Sequence, residues 1–155
     1  MKTLWRISNY SDLSGKGSRG AASRWHSPGR SIVYLAESAA GALLEHVVQL
    51  TDRDAGGKLP RSYQLLQITV PEECRMQSLS KLPQADWQAH PELTRAMGDA
   101  WLTAAETPLA RVPSAIVPLT WNYLLNPEHP DAQRLQVAEV IKEQLDTGIF
   151  RFESR

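Results

Sequence analysis

The sequence predicts an α+β fold built as a single domain. Segments with helical and with strand-like patterns follow one another irregularly, without the regular strand–helix–strand repeat that is typical of parallel sheets. The chain has 155 residues, 42% of them apolar, which is enough for one sizeable core without disulfides or a metal. We therefore expect one compact domain over residues 1–155.

The first half of the chain contains three predicted strands and one predicted helix. The strands are rich in β-branched and aromatic residues or alternate in polarity, and they cover residues 3–8, 31–36 and 62–70. Residues 39–50 predict a helix, because their apolar side chains recur at helical spacing and Ser38 can act as the N-cap. Residues 9–23 are polar and rich in Gly and Ser, so they predict a loop, and Pro28 and Gly29 predict a turn.

The second half begins with an irregular stretch over residues 75–90. Residues 91–105 then predict a helix, with Pro91 near its start. Three more strands are predicted, at residues 109–117, 135–141 and 148–154. Because Pro113 and Pro118 cannot donate hydrogen bonds to a sheet, we expect the first of these strands at a sheet edge or broken beside a pocket.

The segment RVPSAIVPLTWNYLLNPEHPD, residues 111–131, places a hydroxyl in an apolar run and then adds two amides. Ser114 lies between two prolines, and Asn122 and Asn126 follow in what reads as a rigid loop. The segment has two explanations. It is an edge strand followed by an ordinary turn, or it is a strand that presents Ser114 to a ligand while the loop closes one side of the pocket. Asparagine side chains can satisfy turn backbone in either case.

Composition excludes several classes of protein. The chain carries 17 basic and 17 acidic residues, so its net charge of zero argues against nucleic acid as the main partner. The single cysteine, Cys74, forms no internal disulfide, and a reducing, cytoplasmic environment is expected. No signal-peptide pattern, no long apolar run and no Cys/His cluster is present, so we expect neither a membrane span nor a bound metal.

The charge is nevertheless uneven along the chain. The first thirty residues hold six basic side chains against Asp12 alone, a local net charge of +5. This excess suits either a small anionic ligand or an ordinary solvated face.

Common catalytic and nucleotide-binding motifs are missing. The segment SGKGSRG, residues 14–20, lacks the spacing of a phosphate-binding loop, and no G-x-S-x-G motif is present. None of the four histidines has metal-ligand spacing with another.

Four residues of the first half carry chemistry that a site could use. Arg24 is either a planar phosphate ligand or a surface arginine, and the expected burial of neighbouring Trp25 would limit where it points. Arg6 lies in an apolar strand and either faces solvent or meets an anion, because an unpaired buried charge is costly. We expect Tyr34 to be an aromatic residue of the strand that is either in the core or half-buried. Helical periodicity places Glu45 on an exposed flank of the first helix, away from its apolar stripe.

These residues, in this order, resemble the RES-domain family, whose members are toxins of bacterial RES–Xre toxin–antitoxin modules. The matching segments are LWRISNYSDLSGKGS with Arg6, SRWHSPGRSIVYLAES with Arg24 and Tyr34, GALLEHVVQL with Glu45, ELTRAMGDAWL, and VPSAIVPLTWNYLLNPEHPD with Ser114, Asn122 and Asn126. The resemblance runs from residue 4 to about residue 131. One departure is Ser23, which stands where a glycine is more usual.

The resemblance implies a fold like that of bacterial ADP-ribosylating toxins, with a split β core and flanking helices around an NAD cleft. It implies that NAD⁺ is the substrate, broken at the N-glycosidic bond to nicotinamide by hydrolysis or phosphorolysis, and that growth stops as a result. It also implies an Xre-type helix-turn-helix antitoxin that binds DNA itself and blocks the cleft. The expected assemblies are a hetero-oligomer with the antitoxin and a toxin homodimer.

The resemblance also assigns roles to the candidate residues. The catalytic group is Glu45, Arg24 and Ser114, the NAD⁺-binding group is Arg6, Arg24, Tyr34 and Ser114, and the supporting loop holds Asn122 and Asn126. Glu45 would stabilise positive charge on the ribose. Ser114 has no evident activating base, so a positioning hydrogen bond is expected rather than nucleophilic attack.

Two alternatives remain open. A protein ADP-ribosyltransferase would use the same cleft and pass the ribosyl group to a protein side chain. An inactive interaction module is the alternative from another class, and the joint presence of all the candidate residues argues against it.

Overall fold

The computed structural model describes residues 1–52 and 61–145. Within these ranges the strands are β1 (Lys2–Ile7), β2 (Val33–Ala36), β3 (Ser62–Val70), β4 (Met76–Ser78), β5 (Leu109–Pro113), β6 (Trp121–Leu125) and β7 (Gln136–Gln144). The α-helices are α1 (Ala39–Asp52) and α2 (Pro91–Ala104). The α+β prediction is confirmed.

The strands form a mixed sheet that is nearly divided in two. Their order is β4-β5-β6-β2-β1-β3-β7, and β4 and β5 are parallel whereas the other neighbours are antiparallel. At the centre β1 and β2 pair only through Trp5 and Ala36, although every other neighbouring pair shares at least three positions. The two halves therefore separate beyond this pair, which is the split β core that the resemblance implied.

Alternating side chains of the strands build a core on each face of the sheet. On β5, Leu109 is in one cluster and Ala110 and Val112 are in the other, as the period of two requires. Helix α2 covers the second face, where Trp101 and Leu102 join this cluster. The burial of Trp25 expected from the sequence is also observed, at 2% exposure.

Most predicted elements appear close to their predicted ends. The strand predicted at residues 62–70 is β3 without change, and Ser38 caps α1 by accepting a hydrogen bond from the Gly41 amide at 2.9 Å. The strand predicted at 135–141 is β7. The one predicted at 148–154 lies outside the described residues.

Two short strands were not predicted. β4 lies in the stretch read as irregular, and β6 lies in the stretch read as a loop. Prolines and asparagines around WNYLL suggested a turn, but the segment buries Tyr123, Leu124 and Leu125 between β2 and β5.

The strand predicted at 109–117 is broken at Pro113, which lines a pocket, so of the two expected arrangements the structure shows the break beside a pocket and not the sheet edge. β5 lies inside the sheet, between β4 and β6. However, β4 stops at Ser78, opposite Arg111, so it reaches neither of the last two residues of β5. The missing amide of Pro113 therefore costs no ladder hydrogen bond on that side.

Candidate active site

A cleft opens where β1 and β2 separate. Its first cavity encloses about 440 Å³ and is lined by Trp5, Arg6, Ile7, Tyr34, Leu35, Ala36, Ala42, Glu45, His46, Gln49 and Asn122. Three of these residues come from β1, three from β2, and four from α1, which crosses the gap. The split in the sheet is thus what creates the cavity.

A second cavity adjoins the first and encloses about 1230 Å³. Its walls come from the segment before β2, from α1, from the start of α2 and from the end of β5 with the turn that follows it. They include Ser23, Arg24, Trp25, Pro91, Arg95, Val112, Pro113, Ala115 and Ile116. Four residues line both cavities, namely Tyr34, Glu45, Gln49 and Asn122.

Glu45 lies at the junction of the two cavities. Its Oε1 accepts a hydrogen bond from Ser114 Oγ at 3.0 Å and one from Asn122 Nδ2 at 2.8 Å. Within the described part of the chain both donors go to the same oxygen, which leaves Oε2 for a ligand. The carboxylate is therefore fixed in orientation without being neutralised by a cation.

The exposed position that periodicity predicted for Glu45 is wrong. The face of α1 that borders the cleft is Ala42, Glu45, His46 and Gln49, at i, i+3, i+4 and i+7. Leu44, from the predicted apolar stripe, is instead 40% exposed. Where the sheet is split, the helix covers a cavity rather than a packed core, so its inward face can hold the polar side chains Glu45, His46 and Gln49.

Ser114 is 7% exposed, and its hydroxyl makes all three hydrogen bonds that a hydroxyl can form. Its Oγ donates to Glu45 and accepts from the amides of Ile116 at 3.1 Å and Val117 at 3.2 Å. Neither cavity is lined by Ser114. The structure thus places Ser114 behind Glu45 and outside the lining of both cavities, and its expected contact with a ligand stays a prediction.

The two asparagines have different environments, and Asn122 is not in a loop. Asn122 is the second residue of β6, paired with Ala36, and its side chain lines both cavities and bonds Glu45. Asn126 is 3% exposed and holds the following turn, accepting from the Glu128 amide at 3.1 Å. Only Asn126 thus has the loop-supporting position predicted for both.

Tyr34 forms a wall shared by both cavities, and a buried histidine fixes it. The hydroxyl of Tyr34 accepts from the Trp25 amide at 3.1 Å and lies 2.7 Å from Nδ1 of His26. His26 Nε2 lies 2.9 Å from the Ser18 carbonyl oxygen, which can only accept, so Nε2 carries a proton and donates it there. Burial raises the pKa of the Tyr34 hydroxyl well above its usual value, so it stays a neutral phenol.

Arg6 reaches the first cavity, and a loop carbonyl holds it there. One terminal nitrogen donates to the Asp12 carbonyl oxygen at 3.0 Å. Burial lowers the pKa of the Arg6 guanidinium, and the Asp12 carboxylate opposes this, but an arginine remains charged at neutral pH. The first cavity therefore carries a fixed positive charge.

Arg24 lines the second cavity, and helix α2 holds its backbone. Thr94 Oγ1 donates to the Arg24 carbonyl oxygen at 2.5 Å, and a Cβ added at Gly98 would come within 1.7 Å of the Trp25 carbonyl oxygen. The Arg24 side chain donates to the Gln88 carbonyl at 3.1 Å, and its guanidinium carbon lies 5.9 Å from the Trp87 ring centroid.

Three cleft residues were not singled out in the sequence. His46 and Gln49 lie one and four positions after Glu45 in α1. Helical spacing would therefore have predicted them as cleft residues if Glu45 had been assigned to the cleft face. Arg95 comes from α2, and only the tertiary packing brings it to the second cavity. Burial lowers the pKa of His46, so its imidazole is neutral at pH 7.

The basic excess of the first thirty residues reaches the cleft only in part. Arg6 and Arg24 line the cavities, whereas Lys2, Arg19 and Arg30 bond Tyr123, Ser31 and Thr103 respectively. In residues 1–52 and 61–145 no group of acidic, His and Cys side chains could hold a metal ion. Across the same residues, neither helix combines the length and apolar character that crossing a membrane requires.

Comparison with known proteins identifies relatives of this chain. A family model described as the RES domain matches residues 3–148. A protein named Toxin Res from Pseudomonas putida is 45% identical over 134 residues, 86% of this chain and 90% of that protein. A Prs ADP-ribosylating toxin from Sphingobium sp. is 36% identical over 161 residues, 96% of this chain and 97% of that protein.

A solved structure supports the same fold. A chain from the crystal structure of the M. tuberculosis MbcT-MbcA toxin-antitoxin complex matches with a TM-score of 0.74, over 96% of this chain and 86% of that one. At 18% sequence identity the likeness concerns the fold.

Proposed function

The chain belongs to the RES domain family, and on this premise we propose that it is the toxin of a toxin–antitoxin pair and that it breaks NAD⁺ at the nicotinamide–ribose bond. The observation that carries the proposal is the Glu45 carboxylate, held by Ser114 and Asn122 at the junction of two cavities. The relatives named as toxins support the first part.

The chemistry of the bond explains why such a carboxylate is useful. When the bond between ribose C1′ and the nicotinamide nitrogen breaks, the electron pair leaves with nicotinamide, which departs as a neutral molecule. Positive charge then develops on the ribose, in an oxocarbenium-like state. A carboxylate that is already oriented stabilises this charge without rearranging during the reaction.

The remaining cleft residues contact different parts of NAD⁺ in this proposal. Tyr34 offers an aromatic face to the nicotinamide ring, and its hydroxyl is fixed by His26 and the Trp25 amide, so the ring is held in place. Arg6 and Arg24 are assigned to the phosphates or the adjacent ribose. Ser114 and Asn122 act through Glu45 as positioning residues.

The acceptor of the ribosyl group is water or inorganic phosphate in this proposal. Water gives ADP-ribose and a proton, whereas phosphate gives ADP-ribose phosphorylated at C1′. The relative named as an ADP-ribosylating toxin favours a second candidate, in which a protein side chain takes the ribosyl group from the same cleft.

The proposed partner is an antitoxin of the Xre type that covers the cleft and binds DNA through its own helix-turn-helix. The net charge of zero agrees with DNA contact made by the partner and not by this chain. We place the reaction in the cytoplasm, where NAD⁺ is available.

Product analysis tests the proposal. The purified, antitoxin-free chain is incubated with NAD⁺ alone, with added phosphate, and with bacterial protein extract and radiolabelled NAD⁺. We expect one nicotinamide released for each NAD⁺ consumed in the absence of protein acceptors. Label that appears only on an acceptor protein, with no turnover otherwise, would establish the transferase. A folded chain that does neither would refute both.

A further inference from the structure

Arg95 gives the second cavity a second guanidinium. It extends from α2, four residues after Pro91, into the cavity that Arg24 reaches from the opposite chain segment. Its Nε donates to the Ser23 carbonyl oxygen at 2.9 Å. Within the described part of the chain this is its single hydrogen bond, so its two terminal nitrogens keep their donors for a ligand.

The same short segment therefore orients both arginines. Ser23 anchors Arg95 through its carbonyl, and Arg24 is the next residue. Thr94, next to Arg95, in turn binds the Arg24 carbonyl. These contacts hold the Arg95 side chain beside the backbone of Arg24, and the Arg24 side chain is held separately by the Gln88 carbonyl. Groups that are positioned before a ligand arrives lower the entropic cost of binding it.

The charge of the second cavity favours an anion. The charged side chains that line it are Arg24, Arg95 and Glu45, and the Glu45 carboxylate already accepts two hydrogen bonds. The Glu92 carboxylate is near enough to Arg95 for the guanidinium to help lower its pKa. However, Glu92 is exposed, and it contacts His90. Two guanidiniums with free donors are the arrangement that binds phosphoryl oxygens.

We propose that Arg95 and Arg24 together bind a phosphoryl group in the second cavity, with Arg95 as a binding residue that the sequence did not indicate. The inference rests on the proposed function for the identity of the ligand. The phosphoryl group belongs either to the pyrophosphate of NAD⁺ or to inorganic phosphate that accepts the ribosyl group. The two sources share the same chemistry, and binding measurements separate them.

The test is a set of titrations that need no turnover. ADP, inorganic phosphate and adenosine are each titrated into the wild-type chain and into Arg95→Gln, Arg95→Lys, Arg24→Gln and the exposed control Arg75→Gln, with calorimetric detection. We expect Arg95→Gln and Arg24→Gln to weaken ADP or phosphate binding by about 10-fold or more, the scale of a lost charge-assisted hydrogen bond. Adenosine binding and the control should be unchanged, and Arg95→Lys should retain part of the affinity.

Each outcome decides the proposal. Loss of ADP affinity assigns the site to the pyrophosphate, and loss of phosphate affinity alone assigns it to the acceptor. Unchanged affinities in Arg95→Gln, or a wild-type chain that binds neither ADP nor phosphate, would overturn it. Thermal unfolding of each variant identifies a purely structural role, which would lower the melting temperature and leave both affinities intact. The proposed function fails separately, through absent nicotinamide release.

Discussion

At the residue scale, the proposed catalytic carboxylate, Glu45, depends on a neighbour that lines neither cavity. The Ser114 hydroxyl donates its one proton to Glu45 and accepts hydrogen bonds from two backbone amides of the turn that follows. It thus connects the end of β5 to α1. A nucleophile needs a free lone pair, and both lone pairs of Ser114 Oγ accept from backbone amides, so the geometry favours a positioning role even though the Glu45 carboxylate accepts the hydroxyl proton.

Replacing Ser114 separates positioning from nucleophilic attack. We expect Ser114→Ala to lower kcat by about tenfold and leave KM nearly unchanged, because Glu45 keeps Asn122 as a donor. We also expect a loss of about 1–2 kcal/mol in the free energy of unfolding, since the Ile116 and Val117 amides lose their acceptor. Steady-state kinetics with Ser114→Thr as the hydroxyl-retaining control measures this. Complete loss of turnover in a folded Ser114→Ala protein would favour a nucleophilic role.

The lowered pKa of His46 leads to a prediction of how the rate depends on pH. Its pKa is lowered by burial, so the folded protein holds it neutral at pH 7 and protonates it only as the pH falls below about 6.5, the ordinary value for histidine. The added positive charge would lie in the first cavity, beside the ribosyl cation of the proposed mechanism, and we expect kcat to fall on this acid side. His46→Gln should remove that part of the fall. Superimposable pH profiles for the two proteins would contradict the assignment.

At the element scale, α2 determines where Arg24 and Arg95 lie. The helix contacts the segment before β2 so closely that Gly98 has no room for a side chain, since an added Cβ would lie 1.7 Å from the Trp25 carbonyl oxygen. Ser27 adds a contact to the same helix by donating from its amide to Asp99 at 3.0 Å. The wall of the second cavity is therefore built by helix packing.

Gly98→Ala tests this packing. The helix or the segment must shift to admit the methyl group, so we expect a loss of at least about 1–3 kcal/mol in stability, the usual scale of overpacking. We also expect weaker NAD⁺ binding, because Arg24 moves with its backbone. Thermal unfolding and a binding titration measure the two effects, with exposed Ala96→Ser in the same helix as the control. A variant with normal stability would show that the backbone relaxes easily here.

The elements also show what the sequence could predict. β3, α1 and α2 were predicted because the spacing of their apolar residues reflects which faces of the strand or helix are buried. Glu45 was misplaced because periodicity assumes that a helix packs on apolar core, whereas α1 lies over a split in the sheet. β6 was missed because its flanking prolines and asparagines resemble a turn. Arg95 had no local signal, since its position depends on contacts between residues 23 and 95.

At the scale of the whole molecule, a single pair of residues joins two half-sheets. Trp5 and Ala36 hold β1 and β2 together, and the divergence beyond them opens the space that α1 covers with polar side chains. The candidate residues are spread along the chain, from Arg6 in β1 to Asn126 after β6. Only the complete fold assembles them, so the site and the fold are expected to be lost together on unfolding.

Expression in bacteria tests the proposed toxicity. We expect the chain, produced without an antitoxin, to stop growth and to lower cellular NAD⁺, whereas Glu45→Gln at the same protein level should do neither. Viable counts and NAD⁺ measurements over the first minutes after induction check this, with Glu106→Gln as a matched variant on the surface. Growth arrest with unchanged NAD⁺ would point to a different target.

The measurement that tests the central claim most directly is the rate of nicotinamide release by Glu45→Gln at saturating NAD⁺, together with its dissociation constant for NAD⁺. Glutamine keeps the size of the side chain and can still accept from Ser114 or Asn122, but it removes the charge that would stabilise the ribosyl cation. We predict a rate at least about a hundredfold below that of the wild-type chain, with a nearly unchanged dissociation constant. A Glu45→Gln protein that releases nicotinamide at close to the wild-type rate would contradict the assignment of Glu45 as the catalytic carboxylate.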